Sequence, residues 1–405
     1  MFINKEMAFE LIETYGSPLY VYDEAILRKR CNELKNLLPG FNLKINYSIK
    51  ANSNPSLLKI VLDEGLNVDA MSPGELYLEE LAGFTSDRIL YVCNNVSAEE
   101  MKYVIDRNIV ISVDSLSQLE LYGKINPEGR VAVRFNPGSY GTGHHEKVVT
   151  AGEKTKFGVQ AEFTDEVKAI VQKYKLKIVG INQHLGSLFL DEDDYVNGAK
   201  ALLEIVKKFP GLEFIDFGGG FGVPYKSDEA RLDLSALSEK LAVVFNEFLQ
   251  EYDNKEVIFK IEPGRYIVAE CGILLGQVYS TKESYGKTYI GTDLGMNILV
   301  RPSMYDSYHE VEVFNKKEPS GQTKLVTIVG NICETCDVLA KERVLPEIYE
   351  GDVLAILNAG AYGHVMSSNY NCRFRPAEVL INKKGDHQLI RKRDSFEDLV
   401  RNYMV

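Results

Sequence analysis

The sequence lacks the features that mark membrane, secreted and disulfide-stabilised proteins. No apolar run approaches the roughly 18 residues that a membrane span needs, and the opening MFINKEMAFELIETYGSP has no basic stretch followed by an apolar one. The six cysteines are scattered through 405 residues rather than arranged as a disulfide framework. We therefore expect a cytoplasmic protein with reduced thiols and no membrane partner.

Basic residues are in the minority as well. The chain has 46 Lys and Arg against 58 Asp and Glu, a net charge of −12. Nucleic acids and anionic membranes bind through clustered Lys and Arg, so an acidic chain is not expected to bind either of them. A small polar metabolite is the more favourable partner. The length suits roughly two or three domains, or one large barrel with a companion domain.

A barrel is predicted for the first two thirds of the chain. From about residue 43 to residue 262, short apolar runs alternate with stretches of helical period, which is typical of βα units and a parallel sheet. Eight strands with seven intervening helices favour a closed (β/α)8 barrel over an open doubly wound sheet. The predicted strands are residues 43–49, 67–71, 88–93, 109–114, 130–135, 177–183, 212–217 and 257–261.

An all-β domain is predicted for the rest. After residue 270 the helical period stops, and strand-like runs such as GILLGQVYS, KTYIGTD, KLVTIVG, DVLAILN, AEVLIN and HQLIRKR are separated by turn residues. The extended PLYVYDE at 18–24 is a candidate for the same sheet. We therefore predict a barrel over residues 25–268, and an antiparallel sandwich or barrel-like β domain from residues 1–24 and 269–405.

The ends of the barrel strands supply the candidate site, because barrel active sites are built there. Lys50 follows the first strand, where partial desolvation would favour the neutral amine that forms a Schiff base with an aldehyde. His184 follows the sixth strand and is compatible with acid–base chemistry, with stacking on a planar ligand, or with a purely structural role. A surface lysine at a loop edge is the alternative for Lys50.

The last two strands end in residues suited to anions and cations. Gly218, Gly219 and Gly220 let the backbone approach a ligand, and their N–H groups suit a phosphate, although a tight turn that simply needs glycine is the alternative. Glu262, next to Arg265, is a candidate for holding a protonated ring nitrogen, with a simple ion pair as the alternative. An amine, a ring, a phosphate site and a carboxylate together describe a pyridoxal 5′-phosphate pocket.

The longer motifs resemble a known family. The segments YSIKANSN, DAMSPGELYLEELAGF, HLGS, DFGGGFGVPY, EPGRYIVAECG, DLGMNILVRPSMYDSYH, GNICETCDVLAKER and GAYGHVMSSNYNCRFRPAEVL are similar to the fold type III, pyridoxal-phosphate-dependent amino-acid decarboxylases. The resemblance spans about residues 18 to 395, and within the family it is strongest to members that act on diaminopimelate. The loop at 138–158, with His144 and His145, departs from the common family sequence.

The resemblance implies roles for individual residues. Lys50 would bind the cofactor covalently, His184 would stack on its ring, and Glu262 would hold the pyridine nitrogen. The resemblance also implies a phosphate site and further cofactor contacts, from Gly218, Gly219, Gly220, Gly264, Ser187, Arg265 and Tyr362. The substrate's distal carboxylate and ammonium would be held by Arg265, Arg301, Tyr305, Glu334 and Tyr362.

The resemblance further implies a homodimer with shared active sites, since Cys333 and Glu334 are expected to reach the site of the other subunit. The expected reaction removes CO2 from the D-configured end of meso-2,6-diaminopimelate to give L-lysine, with Cys333 as proton donor and Lys50 as second choice. Decarboxylation of ornithine, arginine or carboxynorspermidine is the nearest alternative. A non-catalytic pyridoxal-phosphate-binding barrel and an amino-acid racemase are more distant ones.

The pair Cys333 and Cys336 is also half of a zinc motif. No second CxxC or CxxH pair exists to complete it, so no metal site is expected. Cys336 departs from the family, which more often has Ser or Gly there. Whether Cys336 is redox-active or inert is left open by the sequence.

Overall fold

The chain forms two compact units in a computed structural model, which describes residues 1–138, 142–143, 155–318 and 321–404. The barrel unit consists of residues 28–223 and 230–267. The sheet unit consists of residues 1–27, 224–229 and 268–405. His144 and His145, with most of the 138–158 loop, lie outside the described residues.

The regular elements are numbered in chain order. The helices are α1 (Lys5–Tyr15), α2 (Glu24–Lys35), α3 (Pro55–Asp63), α4 (Pro73–Ala82), α5 (Ala98–Ile105), α6 (Leu116–Ile125), α7 (Thr164–Tyr174), α8 (Glu192–Val206), α9 (Leu234–Glu251), α10 (Arg265–Val268), α11 (Arg301–Tyr305) and α12 (Phe396–Val400). None of these described helices combines the length and apolar composition that crossing a bilayer requires.

The strands are β1 (Leu19–Asp23), β2 (Leu43–Ser48), β3 (Asn67–Ala70), β4 (Ile89–Val92), β5 (Val110–Val113), β6 (Arg130–Asn136), β7 (Thr142–Gly143), β8 (Val159–Gln160), β9 (Lys177–Asn182), β10 (Gly186–Ser187), β11 (Phe214–Asp216), β12 (Ile258–Ile261), β13 (Gly272–Ser284), β14 (Lys287–Thr292), β15 (Val311–Phe314), β16 (Thr323–Val329), β17 (Val338–Pro346), β18 (Val353–Ile356), β19 (Ala377–Ile381) and β20 (His387–Arg391).

The barrel unit is a closed ring of parallel strands. Its order is β5-β4-β3-β2-β12-β11-β9-β6, and pairing of β5 with β6 closes the ring. The seven helices α3 to α9 connect successive strands. β4, with the sequence ILYV, is buried along its whole length, as expected for a parallel strand covered on both faces. The predicted (β/α)8 barrel is confirmed.

Local signals fix where the barrel helices begin. Asn54 and Ser72 accept hydrogen bonds from backbone N–H groups in the first turns of α3 and α4, and each is followed by a proline at the first helical position. These caps end the loops that follow β2 and β3. The loop after β2, which carries Lys50, is therefore short and held at both ends.

The sheet unit is mixed rather than wholly antiparallel, which corrects the prediction. Its order is β17-β16-β14-β13-β1-β19-β20, with β18 joining β13 to β15. The pairs β1–β19 and β14–β16 are parallel, and the other pairs are antiparallel. In the first of these parallel pairs, β1 comes from the start of the chain and lies between β13 and β19. The extended segment at 18–24 therefore joins this sheet, as predicted.

Two strands of this sheet were missed by sequence reasoning. β15 has only four residues, and β17 carries Lys341, Glu342 and Arg343 in its middle, which hides the apolar pattern. The core beneath the sheet is apolar and is formed by Ile3, Ala8, Leu11, Leu19, Val21, Ile273, Leu275, Phe314, Val353, Ala355, Ala377, Val379 and Ile381.

Candidate active site

The barrel brings several predicted site residues to one end. Each of these residues lies within two positions of the end of a barrel strand: Lys50 after β2, His184 after β9 and Glu262 after β12. The glycine turn, Gly218 to Gly220, follows β11. Because the strands are parallel, their carboxyl ends open at the same mouth of the barrel. Lys50 lies in a short 3₁₀ turn, Ile49–Ala51, and is half-buried.

Carboxyl groups from the next βα unit surround Lys50. Burial raises the pKa of Asp69 to about 7, and the Lys50 charge and a 2.6 Å hydrogen bond from Ser48 Oγ partly offset that rise. Burial likewise raises the pKa of Glu75, again opposed by Lys50. Sequence reasoning missed both carboxyls, although Asp69 stands near a strand end and Glu75 in the first turn of α4.

Glu262 has a buried carboxylate oxygen with an unused acceptor. The side chain is 5% exposed, and its Oε1 has no hydrogen-bond partner among the described residues. Burial raises its pKa well above the usual range, and the neighbouring Asp216 carboxyl raises it further. A buried unpartnered acceptor is costly, so this oxygen fits a bound cation such as a protonated ring nitrogen.

His184 presents a neutral imidazole. The Gly219 N–H donates to its Nδ1 at 3.2 Å, which assigns the ring proton to Nε2. Burial lowers the His184 pKa well below its usual value, and the charges of Lys50 and Arg134 lower it further. A flat uncharged ring is suited to stacking on a planar ligand.

The glycine turn after β11 has no room for side chains. Gly218 and Gly220 have φ of +71° and +103°. A Cβ at Gly219 would collide with the Glu262 carbonyl oxygen. The Gly218 N–H donates to Asp216 Oδ1 at 2.9 Å, and that of Gly219 to His184, so of the three only the Gly220 N–H makes no hydrogen bond within the described structure.

Two further predicted residues of the barrel unit are joined to each other. Arg265, at the start of α10 and 6% exposed, donates from Nη2 to Ser187 Oγ at 2.9 Å and from Nε at 3.3 Å. Gly264 precedes it, and a Cβ there would lie 3.0 Å from Ala51 Cβ. The chain therefore passes close to the Lys50 turn at this point.

The remaining predicted residues belong to the sheet unit. Arg301 is 2% exposed, and its Nη1 donates to Tyr225 Oη at 3.1 Å and to His309 Nε2 at 2.9 Å. Tyr305 ends the same helix, α11. Sequence reasoning missed Tyr225 and His309, because their relation to Arg301 depends on the fold.

Three others lie in loops of the sheet unit. Cys333 and Glu334 are exposed between β16 and β17. Tyr362 is half-buried with a left-handed φ of +56°. No cluster able to hold a metal ion occurs among the described residues.

Comparisons with known proteins show which family the chain belongs to. A family model for the pyridoxal binding domain of pyridoxal-dependent decarboxylases matches residues 24–269. The chain is 43% identical over 408 residues to the diaminopimelate decarboxylase of Methanothermobacter thermautotrophicus, covering 98% of this chain and 94% of that one. The chain belongs to the diaminopimelate decarboxylase family. A second member, from Aquifex aeolicus, is 36% identical and covers 99% of this chain and 94% of its own.

A solved structure of a family member supports the same assignment. Diaminopimelate decarboxylase from Helicobacter pylori, complexed with L-lysine, superposes with a TM-score of 0.88 at 31% identity, covering 97% of this chain and 98% of that one. The predicted family and its cofactor, pyridoxal 5′-phosphate, are confirmed. The unpartnered Glu262 oxygen and the glycine turn fit the ring nitrogen and phosphate of that cofactor.

Proposed function

We propose that this family member removes, as CO2, the carboxylate at the D-configured end of meso-2,6-diaminopimelate and releases L-lysine. One observation carries the proposal: the barrel mouth combines an amine, a neutral imidazole and a buried, unpartnered carboxylate oxygen, which are the groups that pyridoxal phosphate needs. The identity to diaminopimelate decarboxylases and the L-lysine complex of the Helicobacter pylori relative support the substrate.

The residues of the barrel mouth would share the work of holding the cofactor. Lys50 would bind its aldehyde carbon, His184 would cover its ring face, and Glu262 would hold its ring nitrogen. The phosphate and the remaining contacts would fall to Ser187, Gly218, Gly219, Gly220, Gly264, Arg265 and Tyr362. When bound, pyridoxal phosphate supplies a conjugated ring that takes up the electron pair left behind as CO2 departs.

Glu262 would make this chemistry possible through its charge. Burial and Asp216 raise its pKa in the absence of a cation. A positive ring nitrogen held by Glu262 would favour the ionised carboxylate and so lower that pKa. The ionised Glu262 carboxylate would in turn keep the ring nitrogen protonated, and the protonated ring would withdraw electrons most strongly.

The distal end of the substrate would be recognised by opposite charges. We propose that the Arg265 and Arg301 guanidinium groups, with Tyr305 and Tyr362, hold its carboxylate, and that Glu334 holds its ammonium. Two guanidinium groups give charge-assisted hydrogen bonds that fit a carboxylate. Ornithine and arginine lack a distal amino-acid group of this kind, so such a clamp favours diaminopimelate.

The exposed loop with Cys333 and Glu334 supports a shared active site. We propose a homodimer in which the sheet domain, residues 1–24 and 269–405, completes the active site of the partner subunit, and in which Cys333 delivers the proton that replaces CO2. A thiol near the reacting carbon can act as this general acid, with Lys50 as the second choice.

We also propose that the enzyme works in the cytoplasm. The described residues form no disulfide, which suits a reducing compartment. Separating the cytoplasmic and membrane fractions of the source cells and assaying each for the decarboxylase would test this. Activity confined to another compartment would contradict it.

Release of CO2 by the purified holoenzyme tests the function. We expect release from meso-2,6-diaminopimelate, with L-lysine as product, and little from ornithine, arginine or carboxynorspermidine. The variant Lys50→Ala should lose both turnover and the absorbance of the lysine-bound cofactor. Inactivity on diaminopimelate, or full activity of Lys50→Ala, would refute the proposal.

A further inference from the structure

The hairpin loop between β16 and β17 carries two exposed thiols that the proposed reaction uses only in part. Cys333 and Cys336 frame the sequence CETC, and both are free and exposed. The Gly330 N–H donates to the Asp337 carbonyl at 3.1 Å, directly beyond the last β16–β17 pair, so the loop is closed at its base. The two cysteines are therefore confined to one short closed turn.

Asp337 makes this loop rigid. Its carboxylate accepts the Ile332 N–H at 2.7 Å and the Met296 N–H at 2.6 Å, and its own N–H donates to the Glu334 carbonyl at 3.1 Å. The last of these bonds defines a tight turn over residues 334–337. The backbone around the CETC sequence is thus held on both sides, and the side chains are the parts that can rearrange.

The Cys336 thiol is exposed and only weakly held. It donates a weak hydrogen bond to Met296 Sδ at 3.7 Å, the only hydrogen bond of that thiol in the described structure. A disulfide needs Cα atoms about 4.4–6.8 Å apart, a distance that residues three apart in a turn can reach. Rotation of Cys336 away from Met296 is the change required.

Cys333 is accessible to small molecules. It lines a cavity of about 890 Å³ together with Cys372, which is also exposed. The Cys333 N–H donates to Asn371 Oδ1 at 2.9 Å, so the two loops are linked. Cys372 belongs to that other loop, where Asn371 and Cys372 both have a φ of +54°, whereas Cys336 lies in the same closed turn as Cys333.

We propose that Cys333 and Cys336 form a reversible disulfide that switches the enzyme off under oxidation. The effect on activity rests on the proposed function, in which the Cys333 thiol donates a proton. A disulfide has no S–H, so the oxidised loop cannot make that donation. Cys336, in the same closed loop, gives this chain a resolving thiol.

The oxidant is a hydroperoxide, and the chemistry balances. The Cys333 thiol gives up its proton, its thiolate attacks one peroxide oxygen, the O–O bond breaks, and the departing hydroxide takes up that proton, so that a sulfenic acid and water result. The Cys336 thiol then attacks the sulfenic sulfur, forms the S–S bond and releases a second water. Overall, two thiols lose two protons and two electrons to one hydrogen peroxide, and a dithiol reverses the change by exchange.

Peroxide treatment of the purified holoenzyme tests the inference. We expect the peptide containing both cysteines to lose the mass of two hydrogens, kcat on meso-2,6-diaminopimelate to fall about 100-fold or more, and dithiothreitol to restore both. A disulfide that leaves activity unchanged would overturn the switch. Inactivation without any Cys333–Cys336 crosslink would overturn the pairing.

Two serine variants sharpen the test. Cys336→Ser should keep its basal activity but lose the crosslink, so that peroxide drives Cys333 to irreversible oxidation that dithiothreitol does not repair. Cys372→Ser is the matched control and should behave like the wild type. A reversible Cys333–Cys372 crosslink would refute the inference.

Failure of the inference and failure of the proposed function are separate results. Absence of CO2 release by the fully reduced enzyme refutes the function. Absence of the crosslink, which is measured by mass and needs no activity, refutes the inference.

Discussion

The Gly219 backbone N–H donates its hydrogen bond to Nδ1 of His184, 35 residues earlier in the chain. The bond ties the glycine turn after β11 to the imidazole ring after β9, and it fixes the neutral tautomer of that ring. The same glycine lies against the carbonyl of Glu262, with no room for a Cβ. One backbone position therefore sets the spacing of three parts of the proposed cofactor site.

The first prediction is that Gly219→Ala weakens cofactor binding. The added Cβ collides with the Glu262 carbonyl, which is backbone and cannot rotate away, so the turn and the His184 bond must shift. We expect the Kd for pyridoxal phosphate, measured by absorbance titration, to rise about tenfold or more. Gly74→Ala is the control, since a Cβ at this exposed helical position lies 3.8 Å from Ser72 Oγ and should be harmless. Equal affinity in the two variants would contradict the prediction.

The second prediction concerns the charge of Glu262. Glu262→Gln keeps the size of the side chain but cannot become the anion that holds a protonated ring nitrogen. We expect kcat to fall about 10²–10³-fold, as for the loss of a buried electrostatic contact to a reacting system. Steady-state CO2 release measures this. A variant within twofold of wild-type kcat would remove Glu262 from the proposed mechanism.

The third prediction is a pH dependence of stability that arises at Glu79 in α4. This side chain is fully buried, and neither carboxylate oxygen has a hydrogen-bond partner among the described residues. Burial raises its pKa from 4.5 to about 9, with Asp69 and Glu75 adding to the rise. Between those values the folded state holds a proton that the unfolded state has released, so stability falls as pH increases.

The variant Glu79→Gln removes this titration. Its free energy of unfolding should match that of the wild type near pH 5 and exceed it at higher pH, by up to about 1.4 kcal/mol for each pH unit until pH 9. Denaturant unfolding at several pH values measures the difference. Glu239→Gln, at an exposed position of α9, should leave the wild-type slope intact. Parallel stability curves for wild type and Glu79→Gln would disprove the assignment.

The barrel and the strand-end candidates could be predicted because both follow from local patterns. Apolar runs alternate with helical periods, and parallel strands bring their carboxyl ends together whatever the loops contain. Asp69, Glu75 and Glu79 could not be identified in this way. Each is one acidic residue among 58, and its significance comes from the raised pKa that packing around it creates.

The sheet unit was harder to predict for a different reason. Strand pairing there joins distant parts of the chain, as β1 does with β13 and β19. An apolar run shows that a strand exists but not which neighbour it takes or in which direction. The pairing of Arg301 with Tyr225 is hidden for the same reason, since 76 residues separate them.

The fourth prediction addresses that pairing. The Arg301 guanidinium carbon lies 4.8 Å from the Tyr225 ring centre, and Nη1 donates to the phenol oxygen. Tyr225→Phe keeps the ring and removes the acceptor, so the guanidinium loses part of its orientation. We expect KM for meso-2,6-diaminopimelate to rise about three- to tenfold with little change in kcat, because one hydrogen bond to a charged group is lost away from the reacting carbon. A fall in kcat with unchanged KM would argue against Arg301 as a substrate contact.

The last prediction tests whether two subunits share each active site. Lys50→Ala and Cys333→Ala should each be inactive, or nearly so, as homodimers, since every site lacks one required group. If Cys333 acts in the partner's site, a mixed dimer contains one site without either change and one with both. Random exchange of equal amounts makes half of the dimers mixed, so about a quarter of wild-type activity should appear. Mixing the variants under conditions that allow subunit exchange, and assaying CO2 release over time, measures this. Activity that stays at the sum of the separate variants would show that both groups act within one chain.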